Sequence, residues 1–323
     1  MQTLTRRFFL AGLAGGTVLP ARAQQSWPVK SVTLVHGFPP GGPVDTLSRI
    51  LADGLSAQFG QTVVVESRSG ATGTTAAGIV ARAAPDGYTL LAVPATFVAT
   101  AAVFRTLPYR PLEDFTFIGT TAEYPFVLVS HAESALRTFA DVVRRARSSD
   151  ASIQYGTAGA GSLQHLSMEL LAKRAGLRMQ YIPYRGGAPA ITDLLGQRID
   201  LVLDPPTALM PHIADGRLRA LAVTSGERFF ALPDVPTIAE AGYPDAVVTG
   251  YQGIAGPPAL PLPIAGRIDA ALHAVLADPR ISADIRKVGN SPVLSNGDQY
   301  RARLAADITR WQAVVSDSNI ERI

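Results

Sequence analysis

One local device recurs along this chain and restricts its fold more than any other feature. An apolar, β-branched run leads into a glycine-bearing turn, and a helical pattern follows. The first copy is Val32-Thr33-Leu34-Val35, then His36-Gly37-Phe38-Pro39-Pro40-Gly41-Gly42-Pro43, then a helix predicted over 44–59 and stopped by Gly60. Its Leu47, Ile50, Leu51, Leu55 and Phe59 share one helical face. The second copy is Thr62-Val63-Val64-Val65-Glu66, a turn through Ser69-Gly70-Ala71-Thr72-Gly73-Thr74, and a helix over 75–83. The third is Ile153-Gln154-Tyr155-Gly156, the turn Thr157-Ala158-Gly159-Ala160-Gly161-Ser162, and a helix over 163–175. The apolar runs Val32–Val35 and Val63–Val65 fit strands buried on both faces, the habit of parallel sheets, whose crossovers are right-handed helices. The expected class is α/β, and 323 residues at 47% hydrophobic content suffice for two such units.

The rest of the chain fits this scheme. After Pro85-Asp86-Gly87, a strand at 88–93 completes a βαβαβ series, and 95–111 reads as irregular. Strands are expected at 115–121 and 125–130, then a helix at 139–147 with Arg144, Arg145 and Arg147 on its wet side. Beyond the third copy come a strand at 178–183, the turn Tyr184-Arg185-Gly186-Gly187, a helix at 189–195, and a strand at 199–203 ended by Asp204-Pro205-Pro206. A strand at 218–224 and a short helix at 234–241 precede a strand at 247–255 that returns to the first half. Helices at 264–277, 281–288 and 299–315 close the chain. Two α/β lobes facing each other across a cleft would aim the glycine turns at one another, since open α/β sheets bind ligands at strand C-terminal ends.

The turns carry the candidate chemistry. Pro39 and Pro40 stiffen the first, Gly41 and Gly42 let a ligand approach bare backbone, and Pro43 suits the first helical position. The free N–H groups there suit a small anion, most simply a carboxylate; a plain rigid turn is the alternative. The 156–161 run has the spacing G-x-x-G-x-G rather than the dinucleotide order, and no phosphate-loop motif occurs. Ser162 and His165 share a helical face, but no nucleophile elbow surrounds the serine; a helix cap and a packed histidine explain them better than a hydrolase. The five histidines show no metal-binding spacing, and no cysteine is present. Asp45 and Asp204 each read as turn or cap residues. No catalytic set, metal site or cofactor is expected.

The segment Thr5-Arg6-Arg7-Phe8-Phe9-Leu10, an apolar stretch to Leu19, and Ala21-Arg22-Ala23 together have the form of a twin-arginine export signal, cleaved near Ala23. The expected mature chain is soluble and lies outside the cytoplasm. Removing Arg6, Arg7 and Arg22 from a whole-chain charge of +3 leaves about zero, so no basic surface points to nucleic acid.

Several blocks resemble one family. They are Phe38-Pro39-Pro40-Gly41-Gly42-Pro43-Val44-Asp45, 63–70, Pro85-Asp86-Gly87-Tyr88, Leu107-Pro108-Tyr109 with Glu113-Asp114-Phe115, Pro183-Tyr184-Arg185-Gly186, 211–224 and 232–237. In this order they are similar to the tripartite tricarboxylate transporter substrate-binding proteins, or Bug receptors. The resemblance runs from about Trp27 to the C-terminus. It implies a two-lobed periplasmic-binding-protein-like fold of type II (a Venus flytrap), a monomer, and an inner-membrane permease as partner. The lobes would be 24–125 with 250–323, and 126–249, behind a signal at 1–23. Known members bind small carboxylates: di- and tricarboxylates, acidic amino acids or aromatic acids.

Carried over by position, one wall of the cleft would be Phe38, Gly41, Gly42, Ala71 and Thr72. The other would be Thr157, Ala158, Gly161, Ser162 and His165, with Tyr184 and Asp204 at rim or floor. The family's usual Val-Pro-Phe is here His36-Gly37-Phe38, its Asn-Arg-Pro-Gly-Ala is Ser67-Arg68-Ser69-Gly70-Ala71, and its Ala-Gly-Thr-Pro-like turn is Pro258-Ala259-Leu260-Pro261. His36 is expected to be buried and neutral. The expected function is a receptor that closes on one carboxylate and delivers it to the permease; the alternatives are a sensor signalling to a membrane kinase and, third, an exported hydrolase.

Overall fold

A computed structural model describes residues 27–148, 153–318 and 320–323; the export signal expected at 1–23 lies outside the described residues. Two sheets define two lobes. In the first, strands β1 (Val32–His36), β2 (Val63–Ser67) and β3 (Thr89–Pro94) run parallel with β1 in the middle; β1 and β3 are buried as their apolar runs suggest, whereas β2, expected to be buried on both faces, is the sheet edge and leaves Val64 exposed. Helices α1 (Pro43–Phe59) and α2 (Thr74–Ala81) make the crossovers. Strand β4 (Thr116–Pro125), the returning β10 (Thr249–Gly256) and the short β11 (Ser291–Pro292) extend this sheet antiparallel, in the order β11-β4-β10-β3-β1-β2. The second sheet runs β7-β6-β8-β5-β9, from β5 (Val127–His131), β6 (Ile153–Thr157), β7 (Met179–Pro183), β8 (Leu201–Asp204) and β9 (Leu218–Val223). Its helices are α4 (Phe139–Arg147), α5 (Leu163–Ala175), α6 (Gly187–Leu195) and α7 (Pro206–Ala214). Helices α8 (Leu262–Ala277), α9 (Pro279–Lys287) and α10 (Gly297–Asp317) return to the first lobe.

The chain crosses between sheets at Phe126 and again just before Thr249. A single buried hydroxyl ties the crossings: Thr224 Oγ1 accepts the Phe126 N–H at 2.9 Å and donates to the Val248 carbonyl at 2.6 Å. Beside these crossings, helix α3 (Thr96–Val103) and α10 of the first lobe pack on α5 of the second, merging both lobes into one apolar cluster that includes Trp311, Val103 and Leu166.

Two local expectations fail, and one helix goes unread, for identifiable reasons. The stretch 95–111, read as irregular, contains α3; its sequence TFVATAAV is apolar all round because sheet and helices cover it, so it shows no amphipathic stripe. Helix α7 starts on Pro206 and holds Pro211 inside, which hid it among apparent breakers. The helix expected at 234–241 is only a turn. Thr237 and Glu240 exchange the hydrogen bonds of a helix start, but left-handed Gly242, at φ 96°, ends it after one turn.

Candidate functional site

The turns after β1 and β2 form one wall by backbone contact. A Cβ on Gly37 would overlap the Gly73 backbone, and one on Gly73 would lie 3.3 Å from the Phe38 ring. Ser67 Oγ donates to the Phe38 carbonyl at 2.6 Å. The second turn carries left-handed backbone at two consecutive non-glycine residues, Ala71 (φ 44°) and Thr72 (φ 55°), a conformation that tertiary contacts must hold. A cavity of about 10 Å³, one water at most, lies behind Phe38, Thr72, Pro94 and Phe97.

Asp45 organises the first turn. Its buried carboxylate accepts the Gly41 N–H (2.9 Å), the Arg49 guanidinium (2.9 and 3.0 Å) and His36 Nε2 (2.9 Å). Asp45 is therefore more than the turn or cap residue its position suggests. His36 Nδ1 takes the Phe38 N–H at 3.4 Å, so the ring proton sits on Nε2. Burial pushes the His36 pKa down against the pull of Asp45, keeping the ring neutral. Burial pushes the Asp45 carboxyl up, but Arg49, Gly41 and His36 hold it below the usual carboxylate range. Gly42 N–H turns back to Pro39 O at 3.4 Å. Both glycines thus shape the wall as bare backbone while their own N–H groups are engaged; among the described residues, the N–H groups of Val44 and Asp45 at the start of α1 have no protein acceptor.

The second lobe gathers the turns after β6 and β7 with the end of β8. Gly186 N–H donates to Ala158 O at 3.1 Å, and a Cβ on Gly159 would press on Tyr184 O. Ser162 caps α5 by accepting the His165 N–H at 3.2 Å, and lies 3.5 Å from Thr157 Oγ1. His165 accepts the Gly161 N–H through Nδ1 (3.3 Å) and stacks on Tyr181 at 4.0 Å. Both residues are occupied structurally, with no serine–histidine hydrogen bond between their side chains. Tyr184 lays its ring on Gly156 and donates its hydroxyl to Asp193 at 2.9 Å. Asp204, read from sequence as a turn or cap residue, is instead the last residue of β8. It is 3% exposed, accepts from Gln164 Nε2 at 3.1 Å, and sits so close to Gly187 that a Cβ there would collide with it. Burial pushes its pKa up to about 7, with the Gln164 hydrogen bond opposing. Sequence reasoning missed Gln164; its one signal was its place in the first turn of a glycine-led helix.

Helix α3 packs on both the second turn of the first lobe and on α5, and a Cβ on Gly161 would meet Val103 Cγ1 at 3.0 Å. The strand ends of each lobe thus present a helix N-terminus behind a glycine turn, one from α1 and one from α5, an arrangement suited to a small anion. No cluster of metal-binding side chains occurs among the described residues, and no described helix is long and apolar enough to cross a membrane.

Residues 47–320 match the family described as the tripartite tricarboxylate transporter family receptor. The protein BugT of Bordetella pertussis is 31% identical over 320 residues, covering 98% of each chain. Among solved structures, periplasmic binding protein BugD superposes with a TM-score of 0.84 at 32% identity, covering 91% of this chain and 99% of that one. Rpa4515 of R. palustris with adipate gives 0.87 at 33% identity, covering 92% and 100%. Paired glycine turns on a two-sheet frame, and these likenesses along nearly the whole chain, make it a member of the tripartite tricarboxylate transporter receptor family, the Bug receptors.

Proposed function

We propose that this chain is a periplasmic solute receptor that closes its two lobes on one small carboxylate and delivers it, as a monomer, to an inner-membrane permease of the tripartite tricarboxylate type. The observation that carries this reading is the pair of glycine-led helix starts, α1 and α5, one from each lobe. The related Rpa4515, solved with adipate, supports a carboxylate ligand. Lobe 1 comprises 24–125 and 250–323 and lobe 2 126–249, closing about the crossings at Phe126 and Val248. Phe38, Gly41, Gly42, Ala71 and Thr72 form the first wall. Thr157, Ala158, Gly161, Ser162 and His165 form the second, with Tyr184 behind it and Asp204 at the floor. The protein performs no chemistry of its own, since Ser162 and His165 serve as cap and packed ring.

A thermal-shift screen of di- and tricarboxylates, acidic amino acids and aromatic acids tests this. A true ligand at 100 times its Kd adds about 2.7 kcal/mol, a shift of several degrees. A melt moved only by cations or neutral sugars would refute the carboxylate reading; uptake retained in a deletion strain would refute delivery to the permease.

A further inference from the structure

The buried carboxyl of Asp204 lacks the company that buried carboxylates need. Among the described residues no lysine, arginine or histidine pairs with it, and the side-chain hydrogen bond it receives comes from Gln164 Nε2 at 3.1 Å. An unpaired buried charge is costly, and so is a buried polar atom without a partner. Gln164 adds a second such deficit. The side chain is 7% exposed, its Nε2 is committed to Asp204, and its Oε1 meets no donor. Reversing the amide would cure this only while Asp204 held a proton to donate; above its pKa of about 7 it would set Oε1 against the ionised carboxylate. A buried oxygen without a donor, Gln164 Oε1, therefore stands beside a carboxyl with a single side-chain donor, at the first turn of α5 and the end of β8, near the start of α6 at Gly187. Asp204 lies opposite Val127 in the strand register, one residue beyond the crossing at Phe126, which puts the pair at the crossing end of the second lobe.

From these acceptors we infer that Asp204 and Gln164 form a subsite for a hydrogen-bond donor on the ligand, so that the solute is a carboxylate bearing a hydroxyl or ammonium group rather than a plain polycarboxylate. The inference rests on the receptor reading above and narrows it. The α1 and α5 N-termini hold carboxylate oxygens, and the Asp204–Gln164 pair takes the donor. A ligand without one leaves the buried Gln164 oxygen unpartnered and adds no donor to Asp204, and sites built this way discriminate strongly against the analogue that lacks the donor.

The test is titration calorimetry on the mature protein at pH 8, with acids matched but for the donor: succinate against malate and aspartate, glutarate against glutamate, and propane-1,2,3-tricarboxylate against citrate. The donor-bearing member of at least one set binds ten times tighter or better. That ratio falls toward one in Gln164→Met, which keeps the shape without the amide, and shrinks in Asp204→Asn. The wild-type comparison stands even if a variant fails to fold. Donor-free acids binding as tightly as their partners would overturn the inference while leaving the receptor reading intact. So would a preference that survives in folded Gln164→Met and Asp204→Asn proteins. If no acid in the panel binds, the inference fails, while the receptor reading fails only if the aromatic acids of the wider thermal-shift screen do not bind either.

Discussion

Asp204→Asn offers a stability experiment whose sign and pH window follow from the burial of one carboxyl. The folded pKa is raised, from an ordinary 3.8 to about 7, so the native protein holds this proton more tightly than the unfolded chain does. The stabilising contribution of the neutral acid is fully present below the unfolded value and is lost as pH rises through the folded value. Between them the loss grows by about 1.4 kcal/mol per pH unit, reaching an upper bound of about 4 kcal/mol above pH 7. Asparagine has nearly the shape of the protonated acid and cannot ionise. Urea denaturation of wild type and variant, in ligand-free buffer at pH steps from 4 to 8.5, reads the difference directly. The variant's relative stability rises steadily from pH 4 to 7 and is flat beyond. Any constant offset from exchanging hydroxyl for amide leaves that slope unchanged. Parallel curves, or a gain confined below pH 4, would refute the claim that this carboxyl is buried without a cation.

Two further perturbations probe the first wall. Gly37→Ala drives a methyl into the Gly73 backbone, so it should cost about 1–3 kcal/mol in urea denaturation and weaken carboxylate binding; a neutral result would mean the two turns are not in backbone contact. His36→Gln keeps an N–H for Asp45 but removes the titrating ring. Because burial lowers the His36 pKa below its ordinary 6.5, the unfolded chain takes up that proton first, and wild type should lose stability as pH falls below about 6.5. Thermal melts of His36→Gln should show a shallower acid slope than wild type, and identical slopes would place the histidine's titration elsewhere.

The sequence disclosed what depends on neighbouring residues. Strands such as β1 and β3 were legible because long apolar runs can only be buried, and α1 because Pro43 and Gly60 mark its ends. Helix α3 was illegible because a helix covered on every side loses the periodicity by which helices are read. The candidate walls could be placed from their turns, yet the groups within them were misjudged. Asp45 reads as a cap until the fold folds His36, Gly41 and Arg49 onto it. Asp204 meets Gln164 only after 40 residues and a complete βαβ crossover have intervened, which no short-range pattern records. His36, the local departure from the family's pattern, becomes intelligible as the strand-end partner of Asp45, fixing the turn rather than touching a ligand.

The two walls are unequal, and on the proposed reading that inequality divides the labour of recognition. In the first lobe the turn meets its own needs: Asp45 satisfies Gly41, His36 and Arg49, and Ser67 satisfies Phe38, so the wall is rigid before any ligand arrives. In the second lobe Gln164 Oε1 and the Asp204 carboxyl are left incomplete. A ligand shifts a hinge only through its differential affinity for the closed state. The rigid wall can offer its helix-end N–H groups to any carboxylate, in either state and at little reorganisation cost. The incomplete wall gains most when a donor is delivered to it and water is shut out, which happens on closure about Phe126 and Val248, tied by Thr224. Capture then belongs to the first lobe, while selectivity and the drive to close belong to the second. A carboxylate that binds the first wall without supplying a donor would occupy the receptor and leave it open.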